Sequence, residues 1–383
     1  MNILMITPFF KPNIGGVETH LEDLCKYLTH RGHSIFVITY QPLTTRAKCS
    51  KVERRDNLEV RRISWFGYNW FNLLEPNPLA EILYLFPALF LYSLFFMFAN
   101  SKKIDIVHTH GLVASLAGKF LKLLFRLKFV VTIHTTYYLS KRIFLKRIFT
   151  WILSSYDRIL FVSHGIRREF VESGIDPVKA EVFTYWADKS RFKPMDKLEC
   201  RNMLGLNCEF LVLFVGRLIK EKGAHILIET ARMSDDRIKF AVITSGSREE
   251  FEKMVGSDIP TNVIYIGPVE YSKLHLYYNA ADFFVLPSQY REGFSRAVLE
   301  SALCGTPVVV SKVGCLSEVV TEDIGVLIDP PTPQAFHKVI EYFFNNREEL
   351  HKLSARCSKY ARKVFTEENA KIIEEAYHCR RAK

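Results

Sequence analysis

The sequence predicts an α/β protein of two doubly wound parallel-sheet domains. Three observations carry that expectation. Short, almost wholly apolar runs alternate with helical stretches along the chain, as parallel strands covered on both faces require. The chain has 383 residues, more than one ordinary domain holds. A polar stretch at 188–205, with Pro194 and a turn containing cysteine and arginine, separates two such series. Domains are therefore expected at 1–190 and from 191 onward.

The elements follow in order. Strands at 2–7 and 34–40 flank a helix from about Val17 to His30, which stops at Arg31-Gly-His33 with Gly32 as its cap, a βαβ opening. Residues 41–78 are polar and poorly periodic, apart from a strand at 58–63. Strands at 104–108, 128–134 and 158–163 complete the first series. The second series comprises 210–215, 238–244, 262–266, 283–286, 307–311 and 325–328, then a helix after Gln334 and a charged helix over about 346–380. No solenoid-type repeat appears.

Composition narrows the class. With 48% apolar and 24% charged residues the chain is globular rather than disordered. Cys25, Cys49, Cys200, Cys208, Cys304, Cys315, Cys357 and Cys379 lie scattered, without a C-x-x-C pair or metal-type spacing. They read as reduced thiols in a cytosolic protein. The N-terminal segment lacks a charged n-region, so no cleaved signal peptide is expected.

The net charge of +11 is lopsided. Residues 1–190 hold 25 basic against 15 acidic residues, and within 101–150 ten basic residues face only Asp105. These cations alternate with Phe, Leu and Ile, as in Lys141-Arg-Ile-Phe-Leu-Lys-Arg147. That is the composition of a helix lying on an anionic bilayer, and no nucleic-acid-binding motif accompanies it. The apolar run 82–99 is long enough to approach a membrane span. It falls between strands that must share a sheet and contains Pro87, which is expected to interrupt it. The readings left open are partial insertion at a membrane surface, a core helix pair, or a span.

The chemistry-bearing motifs lie at strand ends. Glu292-Gly-Phe-Ser-Arg-Ala-Val-Leu-Glu300 follows a buried strand and a Pro287-Ser288 loop. Glu292 is expected on the loop, and Gly293, Phe294 and Ser295 are expected to present amides at a helix N-terminus, an anion site. Glu300 is expected about two turns along that helix. Two hydroxyl-accepting carboxylates around an amide cradle suit a nucleotide-sugar. Arg217 and Lys222, in Gly216-Arg-Leu-Ile-Lys-Glu-Lys-Gly223, add two cations suited to a diphosphate leaving group. In the first series, Asn13-Ile-Gly15-Gly16-Val-Glu18 forms a tight βα turn, and His108, His110 and His134 end strands. His134 is expected to face the ligand and bond a sugar hydroxyl. No metal is expected, because lysine and arginine can supply the phosphate charge.

This ordered set, together with Asn279-Ala-Ala-Asp282 and Gly305-Thr-Pro307, resembles family 4 of the retaining glycosyltransferases over nearly the whole chain. The resemblance implies a GT-B fold, two Rossmann-like domains facing across a cleft. An acceptor-binding domain at 1–190, a nucleotide-sugar domain at 191–365 and a C-terminal helix at about 366–383 that returns to the first follow from it. It implies that Arg217, Lys222 and the amides of Phe294 and Ser295 hold the donor diphosphate, Glu300 the ribose, and Glu292 and His134 the donor sugar. Gly15 and Gly16 would lie near the phosphates and acceptor, and backbone groups at Pro268 and Val269 would read the base. In the glycine-rich segment Thr244-Ser-Gly-Ser247 only Gly246 matches clearly. The expected activity is transfer of a hexose or N-acetylhexosamine from a UDP- or GDP-sugar to a glycan or lipid-linked acceptor. The protein would sit in the cytoplasm, peripheral to the inner membrane face. The alternatives are a GT-B-like epimerase or phosphorylase, or a catalytically dead binding module.

Overall fold

The computed structural model describes residues 1–74, 77–137, 143–256, 258–290 and 292–378. The basic pair Lys141-Arg142, Cys379 and the end of the expected C-terminal helix lie outside them. The chain divides into two compact units: Met1–Tyr185 with the described part of Glu367–Lys383, and Trp186–Thr366. The division falls between Tyr185 and Trp186 rather than at 190/191.

In the first unit the described strands are β1 (Asn2–Ile6), β2 (Ser34–Tyr40), β3 (Val52–Arg55), β4 (Leu58–Ile63), β5 (Ile106–His110), β6 (Lys128–Ile133), β7 (Arg158–Phe161) and β8 (Ala180–Val182). They form one sheet in the order β3-β4-β2-β1-β5-β6-β7-β8, parallel except for β3 against β4. β1 lies between β2 and β5, with Met5 in register with both Val37 and His108. The order therefore reverses at β1, and the loops leaving β1 and β5 open where such sheets bind ligands. β5 begins two residues later than expected, because Asp105 is spent on the amide of Asn2 at 2.7 Å.

Pro78–Asn100 is one continuous helix, which corrects the expected break at Pro87. Proline cannot donate to the carbonyl of the preceding turn and crowds it. The helix opens there and is bridged: the buried Tyr40 hydroxyl donates to the Leu85 carbonyl and accepts the Leu89 amide at 3.0 Å, linking the backbone on the two sides of Pro87. The expected helix at 346–380 is two, Arg347–Val364 and Ala370–His378. The second belongs to the first unit. Its Glu374 takes the Tyr27 hydroxyl at 3.1 Å and pairs with His33 at 3.0 Å, and Lys128 donates to the Tyr377 carbonyl at 3.1 Å.

In the second unit the described strands are β9 (Phe210–Val215), β10 (Ile238–Ile243), β11 (Val263–Gly267), β12 (Phe283–Leu286), β13 (Val308–Ser311) and β14 (Gly325–Ile328). All pairings are parallel, in the order β11-β10-β9-β12-β13-β14. The switch lies between β9 and β12, so the loops carrying Arg217–Lys222 and Ser288–Glu292 leave adjacent strands at the ligand-binding edge.

Candidate functional site

The second unit gathers its charged side chains at that switch point. β9 passes through Gly216 and Arg217 into a turn, Lys220–Lys222, that ends at Gly223 with φ +77. A Cβ on Gly223 would overlap the carbonyl oxygen of Pro287. Glycine lets the two loops meet backbone to backbone, and the Gln289 amide closes the junction on the Glu221 carbonyl at 2.8 Å. Gly223→Ala is expected to cost about 1–3 kcal/mol from the left-handed backbone alone and to weaken nucleotide binding at least about tenfold. Urea denaturation and calorimetry with UDP and GDP measure both; wild-type values would mean that the loops do not need this contact.

The junction brings Lys222 Nζ to 2.8 Å from both carboxylate oxygens of Glu292, which also accepts from Ser288 Oγ. The side chains are 14% and 5% exposed. Burial opposes the Lys222 charge, but the Glu292 carboxylate, with Tyr290, outweighs it and holds the amine above its ordinary range. Tyr290 is pushed up by burial against Lys222 and Arg217, the latter hydrogen-bonded to its phenol. Lys222 and Glu292, expected on different parts of a ligand, thus form one ion pair here.

Glu300 lies on the helix Arg296–Leu303, about one turn from its start rather than two, because Ser295 is the N-cap residue. Tyr271 and Tyr278 donate to its two oxygens at 2.9 and 3.2 Å, and Arg296 Nε reaches it at 3.4 Å. Arg296 also donates to the Trp186 carbonyl at 3.0 Å and the Tyr271 hydroxyl at 3.1 Å. Burial, reinforced by Glu300, lifts the Tyr278 phenol well above its usual range, so it remains a donor. Sequence reasoning missed Tyr271, Tyr278 and Arg296. The one available signal was the i,i+4 spacing of Arg296 and Glu300. Gly293 and Phe294 are half-buried ahead of the helix, Gly246 packs where a Cβ would overlap Leu218, and Val269 is half-buried beyond β11.

The first unit holds a separate constellation at the ends of β5 and β6. His110 Nδ1 lies 3.2 Å from His134 Nε2, and His134 Nδ1 lies 2.5 Å from the Tyr185 hydroxyl. His108 bonds Tyr377 at 2.7 Å and Thr132 at 2.8 Å, and His20 stacks on Tyr185 at 4.2 Å. His134 is 8% exposed, with both ring nitrogens engaged inside the unit. It does not stand open to a sugar hydroxyl as expected. Burial pushes His108 and His134 down to about 3 and His110 well below its ordinary value, leaving all three neutral. Gly15 precedes the helix Gly16–His30, and a Cβ there would overlap the Glu18 carboxylate, which folds back over the helix start. Among the described residues no group of three or more His, Cys, Asp or Glu side chains is placed to hold a metal ion.

Two Rossmann-like units of parallel sheet, the second with a lysine, an arginine and two glutamates at its switch point, define a GT-B glycosyltransferase. Residues 14–190 match Glycosyltransferase Family 4, and residues 199–364 match Glycosyl transferases group 1. The chain belongs to family 4 of the glycosyltransferases and is a hexosyltransferase. It is 27% identical to an uncharacterized glycosyltransferase of Methanocaldococcus jannaschii, over 88% of this chain and 87% of that one. It is 24% identical to the phosphatidylinositol N-acetylglucosaminyltransferase GPI3 subunit of Saccharomyces cerevisiae, over 85% and 71%. It shares the fold of Anabaena HepE, solved with UDP and glucose, at TM-score 0.78 and 19% identity over 99% of both chains.

Proposed function

We propose that this protein is a retaining transferase that moves a hexose or N-acetylhexosamine from a UDP- or GDP-sugar to a hydroxyl of a lipid-linked acceptor at the cytosolic membrane face. The observation that carries the reading is the joined site of the second unit: a buried Lys222–Glu292 pair beside Arg217, and Glu300 on the neighbouring helix. Arg217 and Lys222 neutralise the donor diphosphate, with the amides of Phe294 and Ser295. Glu300 keeps acceptor capacity on its oxygens for the ribose hydroxyls. Glu292 receives a hydroxyl of the donor sugar, and Val269 and Gly246 border the nucleotide. In the first unit, Gly15 and Gly16 border the acceptor once Glu18 yields the helix start.

The reaction forms a bond between the acceptor oxygen and C1 as the bond from C1 to the β-phosphate oxygen breaks. The proton of the acceptor hydroxyl passes to the departing phosphate, on the face it leaves, so configuration is retained. Arg217 and Lys222 stabilise the charge that collects on that phosphate. They supply it without a metal ion. The GPI3 relative, named for phosphatidylinositol, and the apolar, basic first unit support the lipid-linked acceptor.

The test is a thermal-shift panel of UDP, GDP and ADP with their sugars, followed by hydrolysis of the stabilising donor. One UDP- or GDP-sugar is expected to raise Tm and to be hydrolysed slowly without acceptor. Binding without hydrolysis or transfer would identify a binding module. Full turnover by the Arg217→Ala, Lys222→Ala double variant would refute the charge-neutralising role.

A further inference from the structure

Three helices of the first unit carry apolar side chains outward: Pro78–Asn100, Gly111–Leu124 and Ile143–Leu153. On the first, Leu83 is 78% and Phe95 70% exposed; on the second, Leu123 is 76% exposed. Phe86 and Phe90 meet Phe120 at 5.9 and 5.8 Å, and Phe120 meets Trp151 at 6.2 Å. These rings join the three helices, so the exposed side chains form one band rather than scattered residues. On the third helix Ile143, Phe144, Arg147 and Trp151 point outward, while Leu145, Phe149 and Ile152 face the core. A helix with apolar residues on both faces and arginine among the outer ones matches a membrane interface better than water.

At the end of this band, beside Trp151, lies a cavity of about 330 Å³ lined by Lys146, Arg147, Thr150, Trp151, Ser154 and Ser173. Its described lining contains no acid. Lys119 stands 4.1 Å over the Trp151 ring and donates to the Trp151 carbonyl at 2.7 Å, and Lys179 reaches the Ser154 carbonyl at 3.3 Å. Two cations, Lys146 and Arg147, thus line the hollow itself, and two more, Lys119 and Lys179, are held beside it on backbone carbonyls of its lining residues.

We propose that this cavity binds the phosphate of an anionic phospholipid headgroup, while Phe144, Trp151 and the apolar band enter the boundary of the acyl layer. Lysine and arginine satisfy the phosphate oxygens, and tryptophan sits at headgroup depth. The inference rests on the membrane part of the proposed function and adds a lipid-specific site to it.

Flotation of the full chain with phosphatidylcholine vesicles, and with vesicles containing about one part in three phosphatidylglycerol, tests it. Wild type is expected to float with the anionic vesicles only. Lys146→Gln with Arg147→Gln is expected to weaken that partition about thirtyfold, two cations' worth, with UDP and GDP binding unchanged. The exposed pair Lys102→Gln with Lys103→Gln removes the same charge outside the cavity lining and is expected to have a far smaller effect. Equal loss in both variants would reduce the site to diffuse attraction and overturn the proposal. Stabilisation of wild type by inorganic phosphate, lost in the cavity variant and without vesicle binding, would also overturn it, in favour of a free-phosphate site. Wild type that ignores all vesicles yet binds nucleotide would remove this inference and the membrane part together, leaving the donor reading intact. Vesicle binding without nucleotide binding would sink the donor reading alone.

Discussion

Lys222→Ala is expected to destabilise the second unit by about 3–5 kcal/mol and to lower turnover about a thousandfold or more. The lysine is the counter-ion of Glu292, a carboxylate only 5% exposed whose other described hydrogen bond comes from Ser288. Removing the ammonium strands that charge in a site with little water, the most damaging way to break a buried pair. It also removes a cation from the place where charge collects on the leaving phosphate. The two losses can be separated. Lys222→Met combined with Glu292→Gln replaces the pair by neutral groups of similar shape and should recover most of the stability but none of the turnover. Urea denaturation and product formation on both variants check this. An alanine variant as stable as wild type would show that water, not the lysine, balances Glu292.

The first unit is expected to lose stability as the pH falls below about 6.5. His108 and His134 are held down to about 3 by burial, so the fold keeps them neutral. In the unfolded chain the same rings protonate near 6.5, so between about 3 and 6.5 the unfolded state binds more protons and stability rises with pH. The contribution is complete above 6.5 and is lost as acid is added. At pH 5 each of the two rings should subtract about 2 kcal/mol. Glu374 adds to the decline at lower pH: against burial, its hydrogen bonds from His33 and Tyr27 keep its carboxyl below the usual range. Tm recorded between pH 7.5 and 5 should fall steeply for wild type and less steeply for His134→Gln. A wild-type Tm flat across that range would contradict neutral, buried rings.

Much of this was legible in the chain itself. Strands β2, β9, β12 and β14 occur at the positions their apolar runs predict, because a strand covered on both faces must be largely apolar. β3 was not legible: Val-Glu-Arg-Arg at an exposed sheet edge carries no burial signal. Arg217, Lys222 and Glu292 stood out as charges in loops that follow apolar strand runs, and Glu300 by its spacing from Glu292 on the next helix. Tyr271, Tyr278 and Arg296 did not, since the contacts that bring the two tyrosines to Glu300 span more than twenty positions of sequence. His110 and His134 lie at strand ends as expected, while His108 falls inside β5, and sequence could not say that His110 and His134 would bond one another. Pro87 misled for a related reason. The hydroxyl that rescues the helix comes from Tyr40, on a strand far away in the sequence.

That hydroxyl also sets how the apolar band must behave. By threading Tyr40 of the central sheet into the backbone of Pro78–Asn100, the fold staples the greasiest helix of the chain to its stiffest layer. The band is then a permanent exterior and not a flap that unfurls on contact with lipid. Docking to a bilayer needs no folding step and carries no memory of earlier encounters. Its rate follows ionic strength and lipid charge, and in lipid-free solution the same surface drives self-association that a mild detergent should reverse.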